Sequence, residues 1–338
     1  MIIQMKGIFS YNSCFVYSRT LPINIWTRTY YVNKNVECSL EQLSEDILFI
    51  YNDLRDSIQY SMSPKQLALI QEKILRGEYI LSPLQMLIIE RRNLDLLPLL
   101  LRDTLHDQPD IGIVSTPDPD ILYLLLPSKD DVVVLMGLSI MLFRFTYGSL
   151  PKEGYRILTT LPSFYFSLQQ MGKADRVYKI DLMFSLKTLP INLILDKVKH
   201  VVGDEGVYKL ISSFLFLPIL DDFGMNWRDD LNSRIPYVGE IARVLFDIVL
   251  SEIFDREFRK RFPGIVLYRF VNEVFFSTSN NETIFDEKVG YDLLEELSLS
   301  GNIVSIGPGD DPIPCYYGKI LFLDSNSHVK VCDQHDNF

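Results

Sequence analysis

Cysteine and histidine are scarce, with four of each in 338 residues. Cys14, Cys38, Cys315 and Cys332 form no C-x-x-C pair, so the sequence points to neither a disulfide scaffold nor a zinc ribbon. Cys315, His328, Cys332 and His335 have spacings that fit no common zinc pattern and read as strand or tail residues. His106, His200, His328 and His335 sit in unrelated settings, which leaves Ser-His-Asp catalysis without support. Long apolar runs are missing too. Ile211–Leu220 is interrupted by Ser212, Ser213 and Pro218 and soon meets Asp221, far short of the roughly 20 apolar residues a membrane helix needs. A soluble globular protein with no transmembrane segment is expected.

Acidic residues are absent from positions 1–36, which hold Lys6, Arg19, Arg28 and Lys34. The rest of the chain is therefore more acidic than the net charge of −11. Such a body repels a phosphate backbone at long range, so nucleic-acid binding requires a local basic patch or a basic partner. Arg91 with Arg92, or the run Arg256, Arg259, Lys260 and Arg261, supplies the candidates; a solvated face is the plainer explanation of both. The basic extension itself, 1–36, fits an organelle transit segment or a translated upstream extension, and no fold is assigned to it.

Hydrophobic residues make up 47% of the chain, ample for one large domain or two modest ones. Ser39-Leu40-Glu41-Gln42 is a capping box, followed at helical spacing by Leu43, Ile47, Ile50 and Leu54. Ser63-Pro64-Lys65-Gln66 opens a second helix whose apolar face is Leu67, Ile70 and Ile74 and whose stop is Gly77. Apolar runs at Leu84–Ile89 and Ile121–Leu126 read as strands, and Val132–Phe145 as a helix. Val177–Leu182 is a short strand carrying Asp181 at its end. Leu267–Phe276 reads as two hydrophobic strands meeting at Asn272-Glu273, a hairpin that holds a carboxylate at its tip. A further hairpin is expected around Asp324-Ser325-Asn326-Ser327.

The order of these segments resembles the group II intron reverse transcriptases and maturases. Arg269-Phe270-Val271-Asn272-Glu273 is similar to the family's R-[YF]-[AV]-D-D hairpin, with Asn-Glu in place of Asp-Asp. Gly77-Glu78-Tyr79-Ile80-Leu81-Ser82-Pro83 resembles the entry to the fingers. Tyr147, Gly148 and Pro151 match S-Y-G-F-R-P, whose Phe-Arg is here Ser149-Leu150. Asp181 stands at the first metal-ligand motif, but the neighbours that select the sugar are replaced along Met183, Phe184, Ser185 and Leu186. Arg234–Leu250 resembles the G-I-P-Q-G-S-P motif and its helix: Ile235 and Pro236 are kept, while Gln-Gly has become Tyr237-Val238.

The resemblance implies an α/β (α+β) fold with reverse transcriptase-like fingers at 37–170 and a palm at 171–338 that ends in a β-hairpin, without a recognisable thumb. It implies catalytic positions Asp181, Asn272 and Glu273, a template and nucleotide cleft at Ile235, Pro236, Tyr237, Val238, Phe184, Leu186 and Phe270, and metal ligands Asp181 and Glu273. Two-metal phosphoryl transfer needs carboxylates around ions about 4 Å apart, and neutral Asn272 leaves a second hard cation without a charged ligand. The expectation is thus a catalytically degenerate protein retained for RNA or ribonucleoprotein binding, with maturase-type help in intron splicing as its specific form. A residual RNA-directed DNA polymerase using Asp181, Glu273 and magnesium is one alternative; a structural subunit of an organellar assembly is the other. No cofactor is expected apart from that magnesium. Expected partners are intron or other structured RNA or an organellar ribonucleoprotein, and the expected compartment is an organelle, the mitochondrion before the chloroplast.

Overall fold

The computed structural model describes residues 38–55, 62–90, 121–149, 155–157, 161–182, 184–185, 189–221, 223–226, 235–236, 239–278, 285–315 and 319–333. It is a mixed helix-and-strand fold in two units, Met1–Ser149 with Pro190–Leu245, and Leu150–Leu189 with Phe246–Phe338.

The first unit begins with the two capped helices. In α1 (Leu40–Arg55) the Ser39 hydroxyl accepts from the Gln42 amide, and in α2 (Pro64–Leu75) Ser63 does the same for Gln66, both at 3.2 Å. These bonds satisfy amides that a first helical turn cannot pair internally. Strand β1 (Leu84–Glu90) pairs antiparallel with β2 (Ile121–Leu126) and parallel with the two-residue β5 (Ile219–Leu220). Helix α3 (Lys129–Ser149) is apolar nearly all round and is correspondingly buried from Val132 to Phe143, except for a half-buried Met136. It packs on α1 at Gly137, where an added Cβ would sit 2.7 Å from the Ile47 side chain and 3.3 Å from the Ile47 backbone nitrogen. Buried Asp131 ties the expected Gly77–Pro83 turn to the start of α3. Its carboxylate accepts from Tyr79 Oη at 2.9 Å, the Ser82 amide at 3.0 Å and Ser128 Oγ at 2.5 Å. Helices α5 (Ile191–Val202) and α6 (Glu205–Leu215), the latter capped by Asp204, follow as two amphipathic helices with their apolar faces buried. Helix α7 (Gly239–Leu250) begins in this unit and ends in the next.

The second unit holds a five-stranded sheet in the order β3-β6-β7-β4-β8. Its strands are β3 (Tyr155–Ile157), β4 (Arg176–Asp181), β6 (Leu267–Phe270), β7 (Glu273–Thr278) and β8 (Asn302–Ile306). After β3 comes α4 (Leu161–Gln169), which packs against β6. After α7 the chain passes through a π-helical turn, Ser251–Asp255, into α8 (Arg256–Arg261). Tyr178 stacks on Phe276 at 5.2 Å between ring centroids, and Phe258, Phe262 and Phe285 complete an aromatic core on that face. Helix α9 (Glu287–Glu296), capped by Asp286, leads to β8. A second sheet in this unit, β11-β10-β9, is built from β9 (Ile313–Pro314), β10 (Lys319–Leu323) and β11 (Val329–Asp333), with the expected turn at 324–327 closed by Asp324. Among the described residues no helix is long and apolar enough to cross a membrane.

Candidate functional site

Strand alternation decides what meets at the end of the five-stranded sheet. Asp181 on β4 lies directly opposite Glu273 on β7, so two carboxylates far apart in the sequence share one face, together with Lys179 and Phe275 two residues further along. The hairpin that presents Glu273 turns one residue earlier than the Asn272-Glu273 tip expected from the sequence. Phe270 pairs with Glu273, so the two turn residues are Val271 and Asn272, and Glu273 is the first residue of β7. Val271 takes φ +53°, a left-handed conformation that a β-branched side chain rarely adopts. The strain is confined to the tip, where it directs Asn272 toward β4.

Asn272 is fixed to β4 by two bonds. Its carbonyl accepts from the Leu182 amide at 2.9 Å, and its side-chain Nδ2 donates to Asp181 Oδ1 at 2.7 Å. Asp181 is half-buried and Asn272 buried. Glu273, also buried, forms an ion pair with Lys179, whose Nζ donates in addition to the Pro314 carbonyl at 2.8 Å. Lys179 lies 5.8 Å over the Phe275 ring. The neighbouring Cys315 is buried, and its thiol is pushed up to about 12, first by burial and then by the Glu273 charge. Gly301 sits against this end of β4; a Cβ there would come within 2.7 Å of the Asp181 carbonyl oxygen.

The opposite face of the same hairpin carries a cluster that sequence reasoning missed. Arg269 is fully buried. Its Nε donates to Asp255 at 3.0 Å, Nη1 to Asp247 Oδ1 at 2.6 Å and to the Val271 carbonyl at 2.9 Å, and Nη2 to Ser251 Oγ at 3.2 Å and the Asp247 carbonyl at 3.3 Å. The wider π turn at Ser251–Asp255 brings Asp247 and Asp255, eight residues apart, to one guanidinium. By bonding the Val271 carbonyl, Arg269 holds the strained tip in place.

A divalent cation at Asp181 and Glu273 would need carboxylate oxygens open to it and a compact set of charged ligands. The residues present do not fit one. An amide N–H already points at Asp181 Oδ1, and an ammonium already neutralises Glu273. Among the described residues no group of three histidine, cysteine, aspartate or glutamate side chains comes together to hold a metal, and Cys315, His328 and Cys332 are not gathered into one; His335 lies outside the described residues.

Of the other cleft candidates, Ile235, Pro236 and Phe270 are buried, and Phe184 is 61% exposed. Tyr237, Val238 and Leu186 lie outside the described residues, as do Arg91, Arg92 and positions 1–37. Three of the four cations of the basic run of α8 are answered by acids along the same stretch and on α9, and Arg259 donates to the Asp255 carbonyl at 3.2 Å. Arg256 pairs with Glu252, Lys260 with Glu257, and Arg261 with Glu257 and Glu296. Glu257 and Glu296 are held below the usual carboxylate range by these hydrogen bonds from Arg261.

No family model and no curated protein matches the sequence. Among solved structures the chain is similar to a chain of a partial Cas6-RT-Cas1–Cas2 complex, at 14% identity and a TM-score of 0.35 over 72% of this chain and 38% of that one. A chain of a Cas6-RT-Cas1–Cas2 complex gives the same identity and TM-score over 72% of this chain and 24% of that one. The protein thus spans well under half the length of the chains it matches, and the structural likeness to these RT-containing complexes is weak.

Proposed function

We propose that this chain is a catalytically silent protein of reverse transcriptase-like fold, retained for binding RNA or a ribonucleoprotein rather than for synthesis, with assistance of intron splicing in an organelle as the specific form. The observation that carries the proposal is the hydrogen bond from Asn272 to Asp181. In a two-metal polymerase the charge between facing carboxylates is supplied by cations. Here a neutral amide donor bridges to Asp181, and the hairpin tip is tied to the end of β4. The ordered landmarks of the sequence, together with the Asp181–Glu273 register, support a palm-type origin for the sheet.

A second form, a structural subunit of a larger assembly, is favoured by one observation. In the basic run at 256–261, the described candidate for a phosphate-binding patch, Arg256, Lys260 and Arg261 are matched by glutamates on their own stretch of chain and on α9. Binding of the purified chain to structured group II intron RNA, with tRNA as competitor and across a salt series, separates the two. Preferential binding that falls steeply with salt supports the RNA-bound form; no binding at low salt leaves the assembly subunit. Magnesium-dependent primer extension that Asp181→Asn abolishes would overturn the proposal in both forms.

A further inference from the structure

Lys179 makes a connection that metal chemistry alone would not require. It projects from the middle of β4 onto the face shared by Asp181, Glu273 and Phe275, and one ammonium serves two elements: it neutralises Glu273 on β7 and donates to the carbonyl of Pro314 in β9. Both charged side chains are nearly sealed from solvent, at 12% exposure for Lys179 and 7% for Glu273. The sheet that Pro314 belongs to is also attached at its far end. The Ala174 amide donates to the Ser327 carbonyl at 2.9 Å, the Val329 amide to the Gly172 carbonyl at 3.1 Å, and α4 packs on β11. Near Glu273 the same sheet is held by the bond from Lys179 to the Pro314 carbonyl.

We propose that the Lys179 ammonium stands in for a divalent cation at Glu273 and, through Pro314, clamps the β9–β11 sheet over the carboxylate face of the five-stranded sheet. The inference deepens the catalytically silent assignment and rests on it. A carboxylate buried among Phe275, Cys315 and β9 needs a counter-charge, since an unpaired buried charge is costly. A metal ion would meet that need from open solvent and leave the face accessible. A lysine anchored in β4 meets it from within the fold and spends a second N–H on the covering strand. Glu273 is one half of the clamp, and Asn272, held to Asp181, takes no part in it. Lys179 is in this sense a positioning residue for β9.

The test uses the full chain with Lys179→Gln and Lys179→Arg, followed by hydrogen exchange of the backbone amides of Ile313, Cys315 and residues 319–323 and by manganese binding read from the ion's paramagnetic resonance signal. In the wild type these amides are expected to be protected and no manganese is expected to bind. Lys179→Gln is expected to speed their exchange at least about tenfold while the amides of β6 and β7 stay protected, which also shows that the variant folds. Lys179→Arg, which keeps a cationic donor, is expected to restore most of the protection. In Lys179→Gln combined with Asn272→Asp, a manganese signal is expected that Asp181→Asn removes. Unchanged exchange at Ile313, Cys315 and 319–323 in a folded Lys179→Gln variant overturns the clamp while leaving the silent assignment standing. Manganese bound by the wild type and lost in Asp181→Asn overturns the silent assignment itself.

Discussion

The two faces of one hairpin solve the same electrostatic problem differently. On the helix side, Arg269 is sealed from water and its donors are spread over two carboxylates, a hydroxyl and two backbone carbonyls. On the other side, Asp181, Asn272, Glu273 and Lys179 form two separate pairings at a half-buried edge. The first is an interior network whose members all serve the shape of the hairpin. The second ties the two facing acids of β4 and β7 with an amide and an ammonium, the bonding of a structural joint. One hairpin can therefore meet the charge of buried acids either with a single shared guanidinium or with separate protein groups on a neighbouring strand.

Breaking the interior network has the largest expected effect. Arg269→Met leaves Asp247 and Asp255 buried without their cation and releases the Val271 carbonyl, so a loss of about 3–5 kcal/mol is expected in chemical denaturation. If the loss equals that of an ordinary surface substitution, the network does not hold the tip.

A buried pair in the first unit sharpens the contrast, because it is only partly compensated. Asp46 accepts from Arg144 at 2.5 Å, yet burial outweighs that attraction and pushes its carboxyl up from 3.8 to about 6. The folded chain thus holds this proton to higher pH than the unfolded chain does. Its stabilising contribution is fully present below about pH 4 and is lost as pH rises through about 6, by up to about 3 kcal/mol. Asp46→Asn is expected to flatten that slope in urea titrations between pH 4 and 7.

Asn272→Asp places a carboxylate where an amide now donates to Asp181 at 2.7 Å, with an expected loss of about 1–3 kcal/mol at neutral pH that shrinks as the pH is lowered and one of the two acids takes a proton. Thermal unfolding at pH 7 and pH 4 checks both parts. The smallest effect is expected at the exposed edge of α8. Arg261→Ala should leave the urea midpoint unchanged within error, because its pairs with Glu257 and Glu296 lie in solvent.

Much of the arrangement was legible in the sequence, and the rest was hidden for identifiable reasons. The strands that carry Asp181 and Glu273 were legible from local patterns, whereas the pairing of β4 with β7 that sets the two residues opposite each other is non-local, and in the sequence only the family resemblance implied it. The capped starts of α1 and α2 were legible locally, since a capping box spans four residues. The Arg269 cluster was not, because Asp247 and Asp255 lie 22 and 14 residues away and meet only through a π turn that no residue pattern announced. Lys179 read simply as a strand residue; its partner became visible once the register put it two pairs along from Glu273, on the same face. The turn fell one residue early because a polar Asn-Glu step gives the position of a tip, while backbone pairing with Phe270 takes Glu273 into the strand.

A crystal structure of the chain grown in manganese, recorded at a wavelength that reports the ion by anomalous scattering, tests the central claim most directly. The expected result is an intact Asn272–Asp181 hydrogen bond, Lys179 still between Glu273 and Pro314, and no anomalous peak at the carboxylates. A peak bridging Asp181 and Glu273, with Lys179 displaced, would contradict it.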